Sequence, residues 1–167
     1  MVRGTLIIVT SLAFLALGWP CSADDITSPI VGLWKLTGTT TKDVATGVMA
    51  RPYGEHPSGY QLFTKGGHMI FISVHENRKP PSQRVPTTEE RAAFFDAFIG
   101  YAGTYKIDGS KVLVHLDHHT VPPFPETVDR TYTMEVNGDK LTLTSNPFVA
   151  GTTGQRMITI RTFERAE

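Results

Sequence analysis

The chain has 167 residues, 16 basic and 16 acidic, with six histidines and a single cysteine. Balanced charge excludes the basic surface that nucleic acid or an acidic membrane would require. One cysteine excludes an internal disulfide framework.

The first 23 residues read as a targeting segment. Met1-Val2-Arg3-Gly4 is a short basic start, Thr5 to Leu17 is uncharged and mostly apolar, and Cys21 and Ala23 are small residues before Asp24-Asp25. That is the layout of a secretory signal peptide. The apolar run is shorter than the about 20 residues of a membrane span. Cleavage is expected after Ala23, leaving residues 24–167 as one domain in the periplasm or outside the cell. The rival, a lipid anchor on Cys21, is disfavoured by Trp19-Pro20 just before the cysteine. Cleavage removes that cysteine, so thiol chemistry leaves with it, and no cofactor is expected.

From Ser28-Pro29 onward, short apolar or alternating runs are broken by Gly, Pro, Asn and Asp, the pattern of an all-β domain. Strands are predicted at Gly32–Thr41, Val48–Tyr53, Gly59–Thr64, His68–His75, Tyr101–Ile107, Lys111–His118, Arg130–Val136, Lys140–Thr144 and Arg156–Phe163. One helix interrupts them. Thr87 and Glu90 fit a capping box, Phe94, Phe95, Phe98 and Ile99 spread over an apolar face expected to pack on the core, and Gly100 ends the pattern.

Two-residue turns set the expected registers. A turn at Asn137-Gly138 places Glu135 opposite Lys140 and puts Tyr132, Met134, Leu141 and Leu143 on one apolar side, with Arg130 on that side too. An inward arginine needs a carboxylate, an aromatic face or a ligand. A turn at Lys65-Gly66 or Gly66-Gly67 places Tyr60 and Leu62 with Met69 and Phe71, taken as the inner side.

Val112 to Phe124, VLVHLDHHTVPPF, holds three histidines and an aspartate in five residues. His115 and His119, four apart on a strand, are some 13 Å apart at about 3.3 Å per residue, too far to share a zinc at about 2 Å; no metal site is expected. A two-residue turn at Asp108-Gly109 would set Lys106 against Lys111. A three-residue turn through Ser110 avoids that repulsion and turns His115 to the side of Tyr101 and Tyr105.

Gly32-Leu33-Trp34, Pro57-Ser-Gly-Tyr60, Thr64-Lys-Gly-Gly-His-Met69, Gly100-Tyr-Ala-Gly-Thr-Tyr105, His115, Arg130 and Gly138-Asp-Lys-Leu-Thr-Leu143 occur in an order that resembles the bacterial and fungal lipocalin-like domain family. The resemblance spans nearly all of residues 24–167. It implies an antiparallel lipocalin-like β-barrel of about eight to ten strands with one short helix. It also implies that Gly32 and Trp34 are structural, with Arg161 or Arg165 stacked on Trp34, and that His115 faces the lumen. The export signal and His119, where a small hydroxyl residue is expected, depart from the family pattern.

The resulting expectation is a monomeric barrel that binds a small hydrophobic molecule with a carboxylate or other oxygenated end. Tyr60, Tyr101, Tyr105, His115, Arg130 and Tyr132 are the expected binding residues. The alternative is an isomerase- or cyclase-type barrel enzyme using His115 as acid/base, and the third reading is a filled barrel without a ligand. No Gly-x-Ser-x-Gly, reactive cysteine or phosphate loop suggests another chemistry.

Overall fold

The computed structural model describes residues 28–120, 128–150 and 153–167. The expected signal segment and the end of the histidine-rich stretch, from Val121 to Phe124, lie outside them. Among the described residues, ten antiparallel strands form one sheet: β1 (Gly32–Asp43), β2 (Met49–Ala50), β3 (Ser58–Phe63), β4 (His68–Val74), β5 (Phe98–Asp108), β6 (Lys111–His119), β7 (Val128–Asn137), β8 (Lys140–Ser145), β9 (Phe148–Val149) and β10 (Arg156–Arg165). Eight of them close into a barrel because β1 pairs with both β3 and β10. The two-residue strands β2 and β9 extend its wall beside β1 and β10. Closure leaves no long edge to pair with another chain. The strand expected over Val48–Tyr53 shrinks to Met49–Ala50, since Pro52 has no N–H to give a ladder.

Hydrophobic alternation survives where turn geometry permits. The β7–β8 turn is Gly138-Asp139, with Asn137 opposite Lys140 and Glu135 opposite Thr142. The expected register is therefore corrected by two residues, which preserves facing. Tyr132, Leu141 and Leu143 are buried, as alternation requires. The β5–β6 turn is Gly109-Ser110, and Asp108 opposes Lys111. Gly109 and Gly138 each take φ +57, and among the described residues no non-glycine residue has positive φ. Glycine thus occupies the first turn position, the requirement of a II′ hairpin. That placement replaces the Lys106–Lys111 clash with an opposite-charge pair, without a third turn residue.

The β3–β4 connection carries the opposite lesson. Thr64 and His68 bracket three residues, Lys65 to Gly67, with Gly67 at φ +77. An odd loop length reverses facing relative to a two-residue turn. Gln61 and Phe63 point inward with Met69, Phe71 and Ser73, and Tyr60 faces water opposite Ile72, 44% exposed.

The helix, α1 (Thr88–Asp96), begins with the expected capping box: Thr87 accepts from Glu90 N, and the Glu90 carboxylate accepts from Thr87 N. It buries none of its residues, which corrects the expected core packing. It ends at Asp96; Phe98 and Ile99 belong to β5, and Ile99 is buried there. Phe94 is covered instead by the Arg78 guanidinium, 3.3 Å from its ring centre.

Candidate functional site

Antiparallel alternation gives the barrel two unlike ends. The three tight hairpin turns lie at one end, and the longer connections, with β2, α1 and β9, lie at the other. The tight end is closed by Trp34, Phe63, Met69, Tyr105, Val112, Leu141 and Phe163, each at most 3% exposed. Trp34 Nε1 donates to Ile30 O at 2.7 Å. The Arg165 guanidinium lies 4.1 Å above the Trp34 ring and donates to Pro29 O and Val31 O. Gly32 lets this cap close: its φ is +135, and a Cβ there would lie 2.9 Å from Arg165 Nη1. Of the two arginines offered for Trp34, the partner is Arg165. Tyr105, expected among the binding residues, belongs to this closure; its hydroxyl donates to Thr64 O at 2.7 Å.

The other end is hollow. A cavity of about 310 Å³ is lined by the start of β5, the end of β6, the start of β7, the end of β8 and the start of β10. Tyr101, Tyr132 and Arg130, all expected at the site, line it, together with Tyr53, His119, Phe148, Thr159 and Arg161. At roughly ten water volumes, it matches the lower range of small-molecule sites.

Arg161 is the chemical centre of the cavity. It follows the inward parity of Phe163 on β10 and is 8% exposed. Its Nη1 donates to the Tyr101 hydroxyl at 2.9 Å, and its guanidinium lies 4.6 Å from the Phe71 ring centre. Phe71 and Tyr101 are stacked on each other at 4.8 Å. Among the described residues no carboxylate forms an ion pair with Arg161, and its buried Nε has no hydrogen-bond partner. Burial opposes its charge, hydrogen bonding to tyrosine hydroxyls favours it, and the net shift of its pKa is upward. It therefore stays a cation. Burial pushes the Tyr101 hydroxyl well above its ordinary pKa, with Arg161 opposing, and burial raises Tyr53 likewise. Both remain neutral at physiological pH, able to donate as well as accept.

The histidines exchange places relative to expectation. Val112, Val114 and Leu116 are buried, so His115 faces outward. Its Nδ1 lies 2.8 Å from Asp129 Oδ1 and its Nε2 lies 3.6 Å from Asp117 Oδ1. The hydrogen bond to Asp129 is the main cause of its raised pKa. Beyond Leu116 the strand is bulged: Gly103 pairs with Leu116 but Ala102 pairs with His118, leaving Asp117 as the extra residue. One extra residue reverses the facing that follows, so His119 lines the cavity. Gly103 permits the bulge, since a Cβ there would meet His115 O at 1.9 Å.

Sequence reading thus brought Tyr101, Arg130 and Tyr132 to one cavity, placed Tyr60 and His115 on the wrong side of the wall, and missed Arg161, His119 and Tyr53 as lining residues. Arg161 had a readable signal: it shares parity with Phe163 on an amphipathic strand. Among the described residues no helix is long and apolar enough to cross a membrane.

A family model described as a lipocalin-like domain matches residues 31–166. No curated protein matches the chain.

Proposed function

The chain belongs to the lipocalin-like domain family, and we propose that its barrel binds one small, largely apolar molecule whose carboxylate sits on Arg161. The observation that carries this reading is a buried guanidinium lining a cavity, with an unpartnered buried Nε and no acidic partner among the described residues. A planar fork of N–H donors matches a carboxylate, and such charge-assisted pairs are the strong ones. The aromatic walls supply apolar contact, and Tyr101, neutral and already bonded to Arg161, fixes the fork.

His115, the acid/base group of the enzyme reading, lies on the outer wall, so the enzyme reading built on it is not carried forward. The export reading stands beside this one: we propose that the domain works after cleavage at Ala23.

Isothermal titration with octanoate and benzoate, each beside its methyl ester, tests the reading. The acids are expected to bind at least tenfold more tightly than the esters. Arg161→Met is expected to weaken acid binding about 30-fold or more, as for loss of one member of a buried charge pair. Its thermal stability should hold, since it removes a buried charge rather than stranding one. Equal affinity for acid and ester, or unchanged affinity in a folded Arg161→Met protein, would sink the proposal.

A further inference from the structure

We infer that the ligand is a dicarboxylic acid, held by Arg161 in the depth of the cavity and by Arg130 nearer its open end. This rests on the carboxylate reading above and adds a second head.

Two guanidiniums line the one cavity. Arg161 is its buried cation, 8% exposed. Arg130 is half-buried and shares the inward parity of buried Tyr132. Strand pairing puts the two at different depths. Arg161 opposes Leu143 on β8, and Leu143 opposes Met134 on β7. Arg130 lies four residues from Met134, away from the Gly138-Asp139 turn, some 13 Å along the strand at about 3.3 Å per residue. The cavity therefore meets one cation in its depth and a second nearer the open end. Arginine keeps its proton in either place.

Among the described lining residues Asp129 is the only carboxylate, and its Oδ1 lies 2.8 Å from His115 Nδ1 on the outer wall. Arg130 already has contacts; its guanidinium carbon lies 5.5 Å from the ring centre of Phe148, which also lines the cavity. A cation over an aromatic face keeps its charge, and a guanidinium carries five N–H donors, so this contact steadies Arg130 without consuming it.

A single-headed acid would answer Arg161 and lay its apolar end beside Arg130, stripping water from a charged group at a cost. A second carboxylate replaces that water with charge-assisted hydrogen bonds in the planar geometry a guanidinium favours. Ile99, Leu116 and Phe148 make up an apolar part of the lining, which suits the short carbon chain or ring joining the heads.

Calorimetric titration of straight-chain diacids, butanedioate to decanedioate, beside monoacids of equal carbon number tests the second head. At a single-headed site the monoacid binds more tightly at every length, because a methyl end is cheaper to desolvate than a carboxylate. At the two-headed site the diacid is expected to bind at least about tenfold more tightly than its monoacid at one chain length. The advantage should fall on either side of that length, as one head misses its arginine. Arg130→Met should cut it to less than about twofold. The wild-type series needs no variant and decides whether a second head is recognised; the variant assigns that head to Arg130. Monoacids at least as tight as diacids at every length, or a diacid advantage that survives in folded Arg130→Met protein, overturn the two-headed inference and leave the carboxylate reading standing. Failure of every acid to bind overturns both.

Discussion

Two arginines on one face of one strand do different work because of depth. Arg165, at the end of β10, caps Trp34 and holds two carbonyls of the segment before β1. Arg165→Met is expected to lower unfolding stability by about 1–3 kcal/mol, from the lost cation–π contact and hydrogen bonds. Carboxylate affinity should be unchanged; urea unfolding and titration check the two halves. Arg161, four residues earlier, has the same facing but no carbonyl cage, and its cationic head meets the cavity. Sequence parity shows that both point inward. It does not show which one reaches the end of the barrel, because that depends on where neighbouring strands stop.

His115 carries a pH dependence of a different kind. Its hydrogen bond to Asp129 raises its folded pKa above the ordinary value. Its stabilising contribution is therefore fully present below about pH 6.5, the unfolded value. It is lost as pH rises through the raised folded value. Urea midpoints measured from about pH 5 to 9 should show this decline, and His115→Gln should flatten it. An identical pH profile in the variant would remove the Asp129 pair as its source.

At the scale of elements, turn lengths and bulges decided what hydrophobicity left open. Tyr60 and His115 were misplaced for one reason: each sits on a strand with usable groups on both faces, so loop length chose the face. A II′ turn at Gly109-Ser110 and a three-residue loop ending in Gly67 differ by one residue, and one residue inverts a strand. The bulge at Asp117 then inverts β6 again near its end and delivers His119 to the cavity. Gly103→Ala is expected to oppose this geometry directly. A methyl placed against His115 O forces β5 and β6 apart, costing about 1–3 kcal/mol as other overpacked sites do. Denaturant unfolding should show a lower midpoint with an unchanged slope, and the His119 signals should shift most among the histidines. The helix was located correctly by its capping box, which is local chemistry, but its burial was not, because nothing within Thr88–Asp96 specifies a partner surface.

At the scale of the molecule, closure of β1 against β10 joins the start of the domain to its end and gives the barrel one packed end and one open end. The proposed cleavage after Ala23 has a direct check. Mass spectrometry of protein recovered from outside the cytoplasm should give a mature N-terminus at Asp24, whereas a retained Met1 or a lipid-modified Cys21 would refute that cleavage. The sequence by itself determined the all-β class, the capped helix and the apolar side of β7 and β8, because alternation, turn glycines and caps act over a few neighbouring residues; the closed antiparallel barrel was implied by the family resemblance. Only the tertiary structure decided that Arg161, rather than His115, is the buried polar group of the cavity. The facing of a strand depends on loop lengths and a bulge, and the depth of a side chain depends on strands that are far away in sequence.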